Sequence, residues 1–193
     1  DRGTGRPIPS FGTEGRIDLR EGLGLPVERA TVSASTPGAI FEDVIIFGSS
    51  VPETLPGTPG HIRAFDTKTG KRRWVFHTIP QPGEFGAETW PKGPTLSGGA
   101  NAWAGITVDQ KNAMVFAATG SASFDWYGVN RHGDNLFADS VLALDARTGQ
   151  RLRTKLRPTS AQKCANFSSL ETPASSNGSS TPSPGAPVRM RRS

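Results

Sequence analysis

With 193 residues, of which 34% are hydrophobic, 23 are glycine and 16 are proline, the chain has room for one domain of many short strands and turns rather than long helices. It has no apolar run of the ~20 residues that a transmembrane helix needs, and its single cysteine, Cys164, excludes an intrachain disulfide and a cysteine-based metal site. Residues 1–150 hold 14 Lys and Arg against 16 Asp and Glu, a net charge of −2, and residues 151–193 hold eight against one, a net charge of +7, so the body of the chain gives no indication of a nucleic-acid partner.

A short pattern, Asp-x-x-Thr-Gly, occurs three times, at residues 1–5, 66–70 and 145–149. The Asp side chain can accept hydrogen bonds from N–H groups two and three residues on, and the glycine supplies the positive φ that closes a loop. An alternating apolar segment precedes each of the two later copies, so the pattern predicts the turn of a β-hairpin. The chain starts at the first copy, with neither a Met nor the apolar segment of a signal peptide, and we expect it to begin inside a longer protein.

Further apolar segments complete two meanders. The sequence predicts strands at residues 38–41, 44–48, 62–65 and 73–76, and again at 104–108, 114–120, 141–144 and from 151 onward, with a tight turn at 109–112. Four-stranded meanders that repeat along a chain are typical of the blades of a β-propeller. The sequence therefore predicts an all-β fold, a fragment of about two blades.

Two insertions lengthen the repeat, one between the blades (residues 78–103) and one inside the second blade (residues 121–139). Both are rich in Trp, Asn, Asp and Gly. Long loops on a rigid sheet often carry function, although they can also be plain connectors. Glu88 and Asp125 either line the mouth of a site or are solvated loop carboxylates.

The strand pattern is lost from about Arg153, and the chain then becomes rich in Ser, Thr and Pro. Such a composition buries too little apolar surface to fold, so we interpret residues 1–152 as the domain and residues 153–193 as a disordered tail. The tail is either natural or the product of a shifted reading frame, and the abrupt change inside a strand favours the second explanation.

Several segments, in this order, carry a resemblance to a known family: residues 60–77, 82–91, 98–105, 119–121 and 133–137. Together they are similar to the β-propeller of the pyrroloquinoline-quinone (PQQ)-dependent dehydrogenases, the quinoprotein glucose and alcohol dehydrogenases, and most similar to the glucose-dehydrogenase-like branch. The resemblance covers residues 7 to 152. It implies an eight-bladed propeller with PQQ at its axis, a Ca²⁺ ion, a sugar or alcohol substrate, an electron acceptor and a periplasmic location.

The resemblance also implies roles for particular residues. Trp103 matches the tryptophan on which the quinone stacks, and Asn101 occupies a position that often faces the cofactor. In the alcohol-oxidising branch an Asn that binds Ca²⁺ follows a Thr-Gly pair, and here Ser121 stands in its place, a poorer ligand. Glu53 is the nearest match to a Glu ligand of the family, although an exposed loop glutamate fits the sequence nearly as well.

No catalytic residue can be assigned. The family's general base, an Asp, lies just after the strand that follows the third turn, and residues 151–193 contain no Asp. The three histidines, His61, His77 and His132, lack metal-ligand spacing, and we interpret them as surface or loop residues. Two alternatives to a dehydrogenase fragment stay open: a non-catalytic propeller that acts as a scaffold or binding module, and a product without function.

Overall fold

The computed structural model describes residues 1–92 and 96–156, and side chains as far as Thr154. Two four-stranded antiparallel sheets form, each with its strands in chain order, which confirms the two predicted blades. The first sheet comprises β1 (Ala39–Phe41), β2 (Val44–Phe47), β3 (Ile62–Asp66) and β4 (Arg72–Phe76). The second sheet comprises β5 (Ile106–Asp109), β6 (Met114–Ala118), β7 (Ser140–Asp145) and β8 (Arg151–Leu156). Single 3-10 turns lie at Val27–Arg29 and Ala87–Thr89, and the described residues contain no helix able to cross a membrane.

All three Asp-x-x-Thr-Gly segments adopt the same turn. In the second copy, Asp66 Oδ1 accepts hydrogen bonds from the Lys68 N–H (3.0 Å), the Thr69 N–H (2.8 Å) and the Thr69 hydroxyl (2.9 Å). The glycine that closes the turn, Gly70, has φ 70° and donates its N–H to the Asp66 carbonyl (2.9 Å). The hydrogen bonds from Thr69 lower the pKa of the Asp66 carboxyl to about 2. Asp1 and Asp145 repeat this arrangement in the other two copies.

The last strand is longer than its sequence pattern indicates. β8 runs to Leu156, and Leu142 of β7 lies opposite Thr154. Four residues that the pattern assigned to the tail, 153–156, are therefore paired with β7, because ladder hydrogen bonds join backbones and do not require an apolar side chain. Residues 157–193, the rest of the predicted disordered tail, lie outside the described residues.

One apolar core lies between the two sheets. It contains buried residues from both, among them Val44, Ile46, Ile62, Ala64 and Trp74 of the first sheet and Val115, Ala117, Leu142 and Leu144 of the second. The Trp74 indole also donates its N–H to the Ala146 carbonyl (3.1 Å), at the turn of the second sheet. Because each sheet exposes an apolar face of its own, this contact is what lets the pair fold together.

The opposite face of the first sheet is covered by the N-terminal segment. Arg63, which points to this face and is fully buried, donates hydrogen bonds to the carbonyls of Leu19 (2.7 Å) and Glu21 (3.1 Å). Burial, and then the charge of Arg72, lower the Arg63 pKa to about 10. A buried cation thus holds an irregular segment against the sheet by satisfying that segment's backbone oxygens.

Candidate functional site

A short loop segment, residues 98–102, joins the loops of the two sheets, and we refer to it as the crossing segment. On one side it exchanges hydrogen bonds with the loop after β2: the Gly99 N–H donates to Thr58 O (3.0 Å) and the Gly60 N–H to Gly99 O (2.8 Å). On its other side the Ala100 N–H donates to Ser121 O (2.7 Å). Asn101 and Ser121, which the resemblance assigned to separate stretches of sequence, therefore lie in adjacent loop segments.

Glycines make this close approach possible. A Cβ atom on Gly48 would lie 2.0 Å from the Ala102 carbonyl oxygen, and one on Gly60 would lie 2.1 Å from Asn101 Cβ. Gly57 and Gly98 oppose each other in the same way, with a Cβ on Gly98 only 2.4 Å from the Gly57 carbonyl carbon. Any side chain at these positions would separate the crossing segment from the loop after β2.

Trp103 follows the crossing segment directly and is 57% exposed. Its indole lies beside the backbone of Gly120, where an added Cβ would come 3.4 Å from the indole nitrogen. The Gly120 N–H in turn donates to the Asn101 carbonyl (3.0 Å). A large aromatic ring is thus held next to a side-chain-free backbone while much of its surface stays open, which suits stacking on a flat ligand.

Asn101 has a structural contact of its own. It is only 4% exposed, and its Nδ2 donates to the Ser49 carbonyl (2.9 Å) in the loop after β2. The side-chain amide therefore helps to fix the crossing segment to that loop. A contact between Asn101 and a cofactor stays a prediction.

Ser121 lies opposite the crossing segment and contacts a carboxylate that sequence reasoning missed. The Ser121 hydroxyl donates to Asp139 Oδ2 (3.1 Å), and the Asp139 N–H donates to the Gly120 carbonyl (3.0 Å). Asp139 is half-buried and has φ 47°, a left-handed conformation that Asp tolerates better than most residues. No local pattern distinguishes this Asp in the sequence, because the contact spans 18 residues.

Glu53 belongs to a second acidic pair. Burial, followed by the charge of the adjacent Asp125 and a hydrogen bond with it, raises the pKa of Glu53 to about 7, while Arg131 opposes the shift. Arg131 itself donates to the Asn135 side chain (3.0 Å) and the Phe124 carbonyl (2.8 Å). The negative charge of Asp125 close by makes ionisation of Glu53 less favourable.

These pairs bear on a possible metal site. Carboxylate and hydroxyl oxygens are the donors that Ca²⁺ takes, so the chemistry of Glu53, Ser121 and Asp139 suits the ion. Glu53 and Ser121 nevertheless have different partners, and within residues 1–92 and 96–156 no three acidic or histidine side chains form a group that could hold a metal. A role for Glu53 or Ser121 in binding metal stays a prediction.

The two insertions bind each other beside the site. Thr89 accepts the Asn135 N–H at its carbonyl (3.1 Å) and the Leu136 N–H at its hydroxyl (2.9 Å), and the Trp90 indole donates to the Leu136 carbonyl. A small core separate from the inter-sheet core fills the space between them, consisting of Ile79, Trp90, Ala100, Ala122 and Ala138. The insertions are therefore one packed unit and not two independent connectors.

His61 lies in the loop directly before β3, as predicted, but it is fully buried and not at the surface. Its Nδ1 accepts the Thr78 N–H (3.2 Å), and its ring meets that of His77 edge-on, with centroids 4.7 Å apart. Burial, followed by the charges of His77 and Arg63, lowers the His61 pKa to about 3, so the ring is neutral at neutral pH. The loop that contains Thr78 creates this burial, and sequence spacing does not reveal it.

Comparison with known proteins places these features in a family context. A family model described as the PQQ glucose/ethanol/alcohol dehydrogenase β-propeller domain matches residues 1–153. The quinate/shikimate dehydrogenase (quinone) of Acinetobacter baylyi is 34% identical over 159 residues, which cover 76% of this chain and 18% of that protein. The quinoprotein glucose dehydrogenase A of Acinetobacter calcoaceticus is 30% identical over 152 residues, 76% of this chain and 18% of that protein.

A solved structure is also similar to this chain. The quinohemoprotein alcohol dehydrogenase from Comamonas testosteroni superposes with a TM-score of 0.52 at 28% identity, over 61% of this chain and 19% of that one. The chain thus spans about a fifth of the length of the relatives that it matches.

Proposed function

The chain belongs to the family of PQQ-dependent dehydrogenases, and on this premise we propose that it forms the part of such an enzyme that holds one face of the quinone through Trp103. The substrate of the whole enzyme is a glucose-like sugar or an alcohol. Its electrons pass to a separate acceptor, and it works in the periplasm.

The observation that supports this proposal is the placement of Trp103. Its indole is more than half exposed and lies beside the bare backbone of Gly120, and the hydrogen bonds of the crossing segment fix its position. PQQ, when bound, would supply the acceptor for a hydride equivalent from the alcohol carbon. The task of this chain is to orient the flat ring and to shield one side of it from water, which a fixed aromatic surface does at low entropic cost.

Ca²⁺ forms part of the proposal as a Lewis acid near the quinone. Glu53 and Ser121 are the candidate ligands by resemblance, and both provide oxygen donors. Asn101 contributes by holding the crossing segment to Ser49 and so keeps Trp103 in place.

We further propose that the 193-residue chain alone does not oxidise sugars or alcohols. Two blades cannot enclose an axial pocket, and no Asp in residues 151–193 can serve as the proton acceptor. A positioned general base typically contributes ~10²–10⁴-fold in rate, so its lack alone would leave little turnover. A dye-linked assay with excess PQQ and Ca²⁺ tests this, and turnover above that of free PQQ would contradict it.

Binding of PQQ to a ring in which this chain is joined to the remaining blades tests the central proposal, because two blades alone cannot enclose an axial pocket. Equilibrium dialysis in calcium-free buffer should show that Trp103→Ala weakens binding by about 1–3 kcal/mol, the cost of a lost aromatic stack. Trp126→Ala is the matched control, because Trp126 is 96% exposed on the second insertion and has no proposed role. Equal affinities for the wild type and Trp103→Ala, or absent binding by the wild type, would overturn the proposal.

A further inference from the structure

Thr119 lies directly after β6, and its side chain is almost fully buried. The Thr119 hydroxyl donates a hydrogen bond to the Phe137 carbonyl (2.6 Å) and accepts one from the Ser140 N–H (3.0 Å). The Thr119 backbone N–H donates to the Ser140 carbonyl (2.9 Å). One buried hydroxyl therefore joins the end of β6 to the end of the second insertion, across 18 residues of sequence.

The next residue, Gly120, has no side chain that could anchor it, and glycine has the widest conformational freedom of all residues. The Gly120 N–H donates to the Asn101 carbonyl (3.0 Å), and the Gly120 carbonyl accepts the Asp139 N–H (3.0 Å). Asp139 stands directly before Ser140, whose N–H and carbonyl are both bound by Thr119. Thr119 thus holds the chain before Gly120 and also the segment that binds the Gly120 carbonyl.

The indole of Trp103 lies with its pyrrole edge against Gly120. A Cβ atom on Gly120 would be 3.4 Å from the indole Nε1 and 3.7 Å from Cδ1. The Ser35 hydroxyl donates to the Trp103 carbonyl (3.3 Å), which fixes the backbone but not the direction of the ring. Because Trp103 is 57% exposed, the orientation of its ring depends on the few groups that it touches, and Gly120 is one of them.

We infer that Thr119 is a positioning residue for the surface on which the quinone stacks, an inference that rests on the proposed function. The Thr119 hydroxyl fixes Gly120, and Gly120 fixes the tilt of the Trp103 indole. Thr119 acts on the cofactor through the indole alone, so its hydroxyl affects PQQ affinity only while Trp103 is present. A hydroxyl that merely stabilised the sheet would not show this dependence.

The near-ultraviolet circular dichroism of Trp103 tests the first step without PQQ. This signal is the difference between the 193-residue chain and its Trp103→Phe variant, and it requires a ring that is held in one orientation. Thr119→Val replaces the hydroxyl with a methyl group of similar size and leaves the Phe137 carbonyl and the Ser140 N–H without this partner. We expect Thr119→Val to lose most of the Trp103 signal while its far-ultraviolet spectrum keeps the shape of a β-sheet.

A double-mutant cycle on PQQ affinity tests the second step, in the ring that joins this chain to the remaining blades. In calcium-free buffer Thr119→Val should raise the Kd for PQQ about two- to tenfold, the loss expected for one hydrogen bond. The increase should not exceed that of Trp103→Ala, since the effect passes through the indole. In the Trp103→Ala background Thr119→Val should leave the Kd unchanged, because the two residues act as one unit.

Two further variants control for a general loss of structure. Thr119→Ser keeps the hydroxyl and should retain both the Trp103 signal and the wild-type Kd. Thr107→Val makes the matched substitution at an exposed threonine of β5, in the same sheet, and should change neither. If Thr119→Val does not fold, Thr119→Ala takes its place, since the smaller side chain leaves room for a water molecule to bind the two freed backbone groups.

The outcomes separate this inference from the proposed function. A Trp103 signal that Thr119→Val leaves intact would overturn the inference, as would PQQ losses from Thr119→Val and Trp103→Ala that simply add. A Thr119→Ser variant that behaves like Thr119→Val would overturn it too, because the hydroxyl would then not be the cause. An unchanged Kd in Trp103→Ala would instead contradict the proposed function, and the near-ultraviolet signal, measured without PQQ, would still decide whether Thr119 positions the indole.

Discussion

The two sheets present the same face to different surroundings. Ile62 and Val141 each stand four residues before the Asp of their turn, yet Ile62 is completely buried whereas Val141 is 43% exposed. Ile46 of β2 pairs with Ala64, and Phe116 of β6 pairs with Ala143 at the equivalent position of the second sheet. Ile46 is buried, whereas Phe116 is 37% exposed. The first sheet buries this face against the second sheet, while the second sheet turns its opposite face, with Leu142 and Leu144, toward the first.

This difference shows that the two sheets are stacked head to tail, by which we mean that one face of the first sheet packs against the opposite face of the second. Among the described residues, the outer face of the second sheet stays partly exposed. The exposed face of the second sheet is a copy of the surface that the first sheet buries. Alternation along a strand therefore identifies the two faces, but only the neighbouring sheet decides which residues are buried.

The largest expected effect is on the free energy of unfolding, and it distinguishes the equivalent positions Ile62 and Val141. Ile62→Ala should lower the free energy of unfolding by about 2–5 kcal/mol, because it leaves a cavity in the inter-sheet core. Val141→Ala should change it by no more than about 0.5 kcal/mol, as expected for a substitution at the surface. Urea unfolding followed by circular dichroism measures both, and equal effects would contradict the head-to-tail description.

A smaller effect is expected at the turns. Gly149 and Gly5 share the left-handed conformation, with φ 71° and 67°, but a Cβ on Gly149 would lie 2.5 Å from the Trp74 ring whereas one on Gly5 would meet nothing within 4 Å. Gly5→Ala should therefore cost about 1–2 kcal/mol at most, the price of the conformation alone. Gly149→Ala should cost more, because it also displaces Trp74 from the core. Thermal unfolding of both variants is the measurement, and a Gly149→Ala effect no larger than that of Gly5→Ala would show that the turn does not depend on Trp74.

The last effect, small for each step in pH near neutrality, distinguishes His61 from Ser140, its equivalent five residues before the Asp of the second turn. The unfolded chain binds a proton at His61 below about pH 6.5, whereas the folded chain does so only near pH 3, so the stabilising contribution is complete above pH 6.5 and is lost as the pH falls from there toward 3. Each pH unit in this range should cost at most about 1.4 kcal/mol.

His61→Gln tests this expectation, since Gln can still accept the Thr78 N–H but does not titrate. The unfolding free energy of the wild type should fall between pH 7 and pH 5 more steeply than that of the variant. Ser140→Ala, in which the corresponding position of the second sheet is changed, should keep the wild-type pH dependence. Parallel pH profiles for the wild type and His61→Gln would show that His61 is not the group responsible.

The sequence was sufficient to predict the strands and turns because their causes are local. Asp66 and Asp145 bind N–H groups two and three residues away, and the alternation of apolar residues follows the period of a strand. The exception is the end of β8, where Arg153 and Lys155 look unlike core residues but pair with β7 through the backbone. An edge strand needs no apolar face to form its ladder.

The site could be predicted only in part. The resemblance placed Trp103, Asn101 and Ser121 in order along the chain, and the structure brings their backbones together across the crossing segment. The directions of the side chains were not predictable, so the contact between Asn101 and Ser49 and that between Ser121 and Asp139 were missed. Both contacts depend on how two distant loops meet, which no local pattern encodes.

The glycine-lined approach of the crossing segment has a consequence for recombination between relatives. Strand repeats suggest that one blade could be exchanged for its counterpart at the linker between the sheets. That cut would separate Gly48, Gly57 and Gly60 from residues 98–102, whose backbone fills the space that their missing side chains leave. A chimera should therefore inherit residues 48–60 and 98–102 from the same parent. The unit of exchange is a four-stranded sheet together with the loop of the neighbouring sheet that packs against it.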